Sequence, residues 1–238
     1  MTKIAGIFAA GEGSRLQKAY PGVIKPMIPI NGIPLIEWTT SLMVKAGFTD
    51  ITVLLNSRGL SAREHLASKF KNTAKLNFIV RNTASSWESF RLLSGELSKR
   101  AESFVLSTVD SLYDPALLAG LASAYPENSF DAVLGVTDHI ADEKPLWTDI
   151  GKNGRITHMG NSCASKTYAT SGIYVMTSAL ASRMPGAVSY KALREYLCNI
   201  TEAGNRVFSF KMPKSIDVDD PEDVKIAERF VNTQVHNS

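Results

Sequence analysis

Ile4-Ala5-Gly6-Ile7-Phe8-Ala9-Ala10, then Gly11-Glu12-Gly13-Ser14-Arg15-Leu16, and further on Lys25-Pro26, is the stretch around which the chain is organised. A short apolar run with no polar alternation predicts a central parallel strand covered on both faces. The two glycines after it let main-chain N–H groups turn inward and approach a ligand closely, and Arg15 and Lys25 bring positive charge to the same place. Together they predict a site for a polyphosphate. A dinucleotide fingerprint asks for a third glycine where Leu16 stands, and no acidic residue clearly closes a second strand at the expected distance. A P-loop asks for a Gly-Lys-Ser/Thr that does not follow Gly11. A turn that merely joins strand to helix leaves the two cations unexplained.

With 238 residues the chain is long enough for one α/β domain with a substantial core. Apolar and charged fractions of 44% and 21% are those of a soluble globular protein, which argues against disorder and against a membrane span. The net charge of +3 is modest, and no basic tract interleaved with aromatics argues for nucleic acid. The run from Ile4 is short for a signal-peptide core and meets Glu12 and Arg15 at once, so the expected location is cytoplasmic. Cys163 and Cys198 lack metal-ligand spacing and are expected to be reduced and structural. Nothing in the sequence sets an oligomeric state.

The segment from Ala9 to Leu16, with Lys25-Pro26, resembles the signature of the nucleotidyltransferase superfamily that includes sugar-1-phosphate nucleotidylyltransferases and the small phosphocholine cytidylyltransferases. The resemblance implies that Ala9, Ala10, Gly11, Glu12, Gly13 and Ser14 wrap a nucleoside triphosphate. By position it makes Arg15 the residue that holds the departing pyrophosphate and Lys25 the one that contacts the reacting phosphates.

The rest of the chain alternates strand-like and helix-like segments, the pattern of a parallel sheet with covering helices. With the resemblance, the expected fold is a three-layer, Rossmann-like α/β domain. It has a mixed, mostly parallel sheet, helices on both faces and a small accessory sheet over an acceptor site. Residues 1–238 form one domain in this reading. Within it 1–110 mainly bind the nucleotide, 131–176 carry the accessory strands, and 215–231 carry a metal-binding segment and the last helix.

After a third strand at Leu76–Val80, Ser85 or Ser86 is a natural helix N-cap. The resemblance places Thr83, Ala84, Ser85 and Ser86 against the nucleobase, and the lack of a Gly-Thr-Gly or Gln-containing version favours a pyrimidine, CTP or UTP. Phe104–Asp110 reads as a strand that delivers Asp110 at its carboxyl end, where open α/β sheets bind ligands. A carboxylate there repels a triphosphate unless a cation lies between, and Mg²⁺ takes one or two carboxylates with phosphate oxygens and water.

Near the C-terminus Asp220-Pro221-Glu222-Asp223 is a helix start. That leaves Asp217 and Asp219, two residues apart on an extended segment and pointing to one side. The resemblance makes one of them a second metal ligand beside Asp110, with Asp217 preferred. In the accessory strands, relatives carry Glu-Lys-Pro where this chain has Met159-Gly160-Asn161, and Asp142-Glu143-Lys144-Pro145 stands too far upstream to replace it. The resemblance then leaves Lys166 as the acceptor-binding lysine or no lysine in that role, and makes Gly172, on a strand resembling one whose glycine admits the acceptor, either an acceptor residue or a plain sheet glycine.

The implied activity is Mg²⁺-dependent transfer of NMP from an NTP to a phosphorylated small molecule, such as a sugar 1-phosphate or a choline-phosphate-like acceptor, with release of pyrophosphate. Two alternatives are a glycosyltransferase of similar fold using an NDP-sugar and a non-catalytic nucleotide-binding regulator. Asp217-Val218-Asp219 has the glycosyltransferase Asp-x-Asp form but stands far too late in the chain.

Overall fold

The computed structural model describes residues 4–126, 128–140, 144–213 and 215–236. In chain order it contains β1 (Ile4–Ala9), β2 (Pro29–Ile30), β3 (Ile33–Pro34), α1 (Leu35–Lys45), β4 (Asp50–Leu55), α2 (Leu60–Lys69) and β5 (Lys75–Val80). There follow α3 (Ser86–Leu97), β6 (Ser103–Thr108), β7 (Ser111–Leu112), α4 (Pro115–Ser123), β8 (Ala132–Thr137), β9 (Trp147–Ile150) and β10 (Ile156–Met159). The chain ends with β11 (Tyr168–Thr177), α5 (Ser178–Ala181), α6 (Leu193–Glu202), β12 (Val207–Lys211), β13 (Ile216–Asp217) and α7 (Pro221–His236).

As its apolar run predicts, β1 lies in the middle, parallel to β4 on one side and to β6 on the other. Parallel strands need long crossovers, and the helices supply them. Its side chains alternate between two cores. Ala5, Ile7 and Ala9 face a layer made by α1, α2, α4 and α7. On the other face Phe8 stacks on Phe90 of α3 at 5.5 Å, and Gly6 leaves room for Leu93 and Leu97. Because the ends of β1, β4 and β6 are flush, the loops after them meet on one edge.

β11 continues the sheet antiparallel to β6 and then divides it. Its second half pairs with β6 and its first residues with β9, which carries β10 as a hairpin, while β8 runs along both halves. The accessory strands are thus a branch hydrogen-bonded to the main sheet, with β12 added parallel to β8. The register against β8 shifts between Thr170 and Tyr174, where Gly172 takes φ +75°. A left-handed backbone here suits glycine, and it bends β11 out of the core sheet.

Two very short ladders finish the fold. β2 pairs with β3, and β7 pairs with β13 so that Ser111 faces Asp217. α6 begins at Leu193, after a loop held by Trp87 Nε1 donating to Gly186 O and Arg91 Nε donating to Pro185 O. Asp142 and Glu143 lie outside the described residues. No helix among the described residues is long and apolar enough to cross a membrane.

Candidate active site

The loop after β1 opens a cleft of about 680 Å³, the size of a small-ligand site. Residues 10–15 line one wall and 82–86 another, and Lys25, Asp110 and Asp219 stand where the walls meet. Of the residues expected to wrap a triphosphate, Ala9 does not reach the cleft; it is buried in the core. Gly13 adopts φ +63°, and a Cβ there would stand 2.6 Å from Lys25 Cβ, so this glycine lets the loop close over the lysine.

Lys25 sits in a 3₁₀ turn, Lys25–Met27, with Pro26 fixing the backbone. It is only 7% exposed, and its Nζ donates to Asp110 Oδ2 at 2.5 Å and Asp219 Oδ1 at 2.7 Å. Burial by itself would discharge a lysine, but the two carboxylates raise its pKa above the ordinary lysine value. The same contact holds Asp110 below the usual carboxylate range in spite of its burial, with help from the Thr108 hydroxyl. Asp219 is shared further: Arg15 Nη2 meets its Oδ2 at 2.9 Å. Arg15 and Lys25 therefore converge on one carboxylate although nine residues lie between them.

Asp217 is held differently. The Ser111 hydroxyl donates to its Oδ1 at 2.5 Å, and among the described residues no cation stands within ion-pair distance of it. Burial and the neighbouring Asp110 charge push it up to about 7. The backbone fixes this neighbourhood, since Val218 N donates to Asp110 O and continues the β7–β13 ladder. Among the described residues no three His, Cys, Asp or Glu side chains converge on one point, so an ion here draws on at most a pair of carboxylates. Asp110 and Asp217 offer the hard carboxylate oxygens that Mg²⁺ takes, its shell being completed by phosphate and water.

The wall at residues 82–86 is built as a helix start. Ser85 caps α3 by accepting from Glu88 N at 3.1 Å, and Glu88 reaches back to Ala84 N at 2.6 Å. The Thr83 hydroxyl pairs with Ser89 Oγ, and Ser86 Oγ accepts from Leu193 N. Asn56, Ser57 and Arg58, in the loop after β4, also line the cleft. Their residue types carry no signal of their own, although the rule that ligands meet the carboxyl ends of parallel strands points to that loop as well as to the other two.

On the far side of Arg15 and Asp219 a smaller pocket of about 40 Å³ opens between the β11 branch and the start of α7. Thr137, His139, Ala169, Thr170 and Ser215 line it, and Arg15 and Asp219 border both spaces. Lys166 is in neither. Its Nζ donates to Asn161 O at 2.5 Å and lies over the Trp147 ring, so it serves the loop after β10. Gly172 also leaves no opening, because a Cβ there would collide with the hydroxyls of Ser111 and Thr108.

A doubly covered, mostly parallel sheet whose glycine loop gathers two cations and two aspartates at the strand ends is the frame of a nucleotidyltransferase. Residues 5–196 match the model of the MobA-like NTP transferase domain, and the chain belongs to that family. It is an enzyme of the nucleotidyltransferase kind. Among solved structures it is similar to the inositol-1-phosphate CTP transferase from T. maritima, with 23% identity, a TM-score of 0.80, and coverage of 95% of this chain and 94% of the other. It is also similar to a Bacillus anthracis chain assigned as a glucose-1-phosphate thymidylyltransferase and solved with sucrose, at 16% identity, TM-score 0.79 and the same coverages. Over 70 residues, 29% of the chain, it is 33% identical to the bifunctional protein GlmU of Geotalea daltonii, a stretch that spans 15% of that relative.

Proposed function

We propose that the protein transfers a nucleoside monophosphate from an NTP, a pyrimidine one favoured, to a small phosphorylated acceptor and releases pyrophosphate, with Mg²⁺ as cofactor. A phosphate oxygen of the acceptor attacks the α-phosphorus, and the bond from that phosphorus to the β-phosphate oxygen breaks. Such a displacement asks the protein mainly for positioning and for neutralisation of charge. The amides of residues 11–14 and Arg15 hold the triphosphate and the departing pyrophosphate, and Lys25 faces the reacting phosphates. Asp219 orients Arg15 and Lys25 through its two oxygens. Asp110 and Asp217 would hold Mg²⁺, which supplies Lewis-acid stabilisation of the phosphates. Thr83, Ala84, Ser85 and Ser86 face the base. In this reading residues 1–110 serve the nucleotide, 131–176 the acceptor and 215–231 the metal and the closing helix.

The observation that carries the reading is Lys25, buried at the foot of a glycine loop and shared by carboxylates from two distant segments. The two structural relatives are named for cytidine and thymidine nucleotides, in keeping with a pyrimidine. The test is to incubate the enzyme with each NTP, Mg²⁺ and a panel of phosphorylated sugars, polyols and choline phosphate, and to assay pyrophosphate. Acceptor-dependent release, greatest with CTP or UTP and abolished by chelation, is expected. Binding of NTP with no turnover for any acceptor, or sugar transfer from an NDP-sugar instead, overturns the reading.

A further inference from the structure

We infer that Ser111, backed by Thr108 and by the missing side chain of Gly172, is a positioning residue that aims the Asp217 carboxylate toward the divalent ion. The inference rests on the metal reading above and adds residues that neither the glycine loop nor the aspartates themselves account for. Asp217 belongs to β13, a two-residue strand whose one neighbour in its ladder is the two-residue β7. Backbone pairing that short fixes a segment poorly, so a side-chain tether carries more of the work. Ser111, fully buried, provides it from directly across the ladder through its bond to Asp217 Oδ1.

The tether is itself anchored. Thr108 Oγ1 lies 2.8 Å from Ser111 Oγ, so a second hydroxyl backs the first. The carbonyl of Ser171 stands 3.0 Å from Ser111 Oγ, and the space a Cβ on Gly172 would need is filled by these hydroxyls. The bend in β11 thus exists where the hydroxyl pair requires room. This accounts for the glycine that the sequence reading gave to the acceptor.

Partners that orient a metal-binding side chain are worth roughly 10–100-fold in metal affinity. The test is Mn²⁺ binding, followed by EPR in the presence of a non-hydrolysable NTP analogue, to the wild type, Ser111→Ala and Thr108→Val, with folding checked by circular dichroism. Ser111→Ala is expected to weaken Mn²⁺ by about 10-fold or more. Binding of the metal-free analogue should stay unchanged, and the Mg²⁺ concentration for half-maximal turnover should rise more than kcat falls. Thr108→Val, which keeps the shape of the side chain, should shift metal affinity in the same direction by a smaller factor; if Ser111→Ala does not fold, this variant decides alone. Wild-type Mn²⁺ affinity in whichever folded variant decides sinks the inference while leaving the nucleotidyltransferase reading intact. Failure of the wild type to bind Mn²⁺ with the nucleotide sinks the metal reading and this inference with it.

Discussion

Lys25→Met removes the ammonium and keeps a side chain of similar reach, so it isolates the charge. In the wild type Lys25 Nζ serves Asp110 at 2.5 Å and Asp219 at 2.7 Å. Breaking a buried pair by deleting one partner typically costs about 3–5 kcal/mol, because it leaves a charge uncompensated. Asp219 keeps Arg15 at 2.9 Å, so the loss falls on Asp110 and the lower end applies, about 3 kcal/mol. For a chain of this size that is roughly 6–12 °C in Tm, which leaves the protein folded.

The pH dependence follows from the same contact. Lys25 lowers the Asp110 pKa in the fold, so its stabilisation is complete above the unfolded carboxylate value and is lost as pH falls through the lowered one. In the variant the burial remains without the cation, which raises the Asp110 pKa above the unfolded value, and stability is then gained as pH falls. The deficit should be largest near pH 8 and should shrink below about pH 5. Urea unfolding at both pH values, in chelator so that no metal replaces the ammonium, measures it. A variant as stable as the wild type at pH 8, or a deficit that does not change with pH, refutes the reasoning. Acceptor-dependent pyrophosphate release should fall by about 10²–10³-fold.

Two further outcomes test the scaffold. Glu37, 6% exposed, accepts from His65 Nε2 at 2.6 Å and Lys69 Nζ at 2.9 Å; burial opposes its charge, but these partners lower its pKa. That stabilisation is present above about pH 4.5 and is lost as pH falls through the lowered value, so Glu37→Gln should cost about 1–2 kcal/mol at pH 7 and progressively less as pH falls below about 4.5, by denaturant titration. Gly6→Ala places a Cβ 2.8 Å from methyls of Leu93 and Leu97, and overpacking should lower stability by about 1–3 kcal/mol. An unchanged Tm would show that α3 does not rest on β1 as described.

Much of this molecule was legible in its sequence because the telling segments are locally determined. The apolar run of β1, the Asp110 strand end and the Asp220-Pro221 cap each carry their signal within a few residues, and each stands where it was read. What escaped was set by contacts between distant segments. A two-residue ladder such as β7–β13 has no periodicity to detect, yet it brings residues 111 and 217 together. Reading Lys166 as a stand-in for the absent Glu-Lys-Pro lysine leaves out the Trp147 ring and the Asn161 carbonyl that hold it in the fold. At Gly172 the atoms that approach closely are hydroxyls of its own fold.

β11 crosses from the core sheet into the branch as one uninterrupted strand, bending once at Gly172. A chain wired this way can be retooled on one side of the bend without rebuilding the other. Grafting the β9–β10 hairpin from a relative onto Tyr168 and Ala169 would exchange the outer wall while the strands behind the glycine loop keep their register. The bend is therefore a natural seam for recombination, and chimaeras cut there should stay folded where cuts inside β6 or β1 do not.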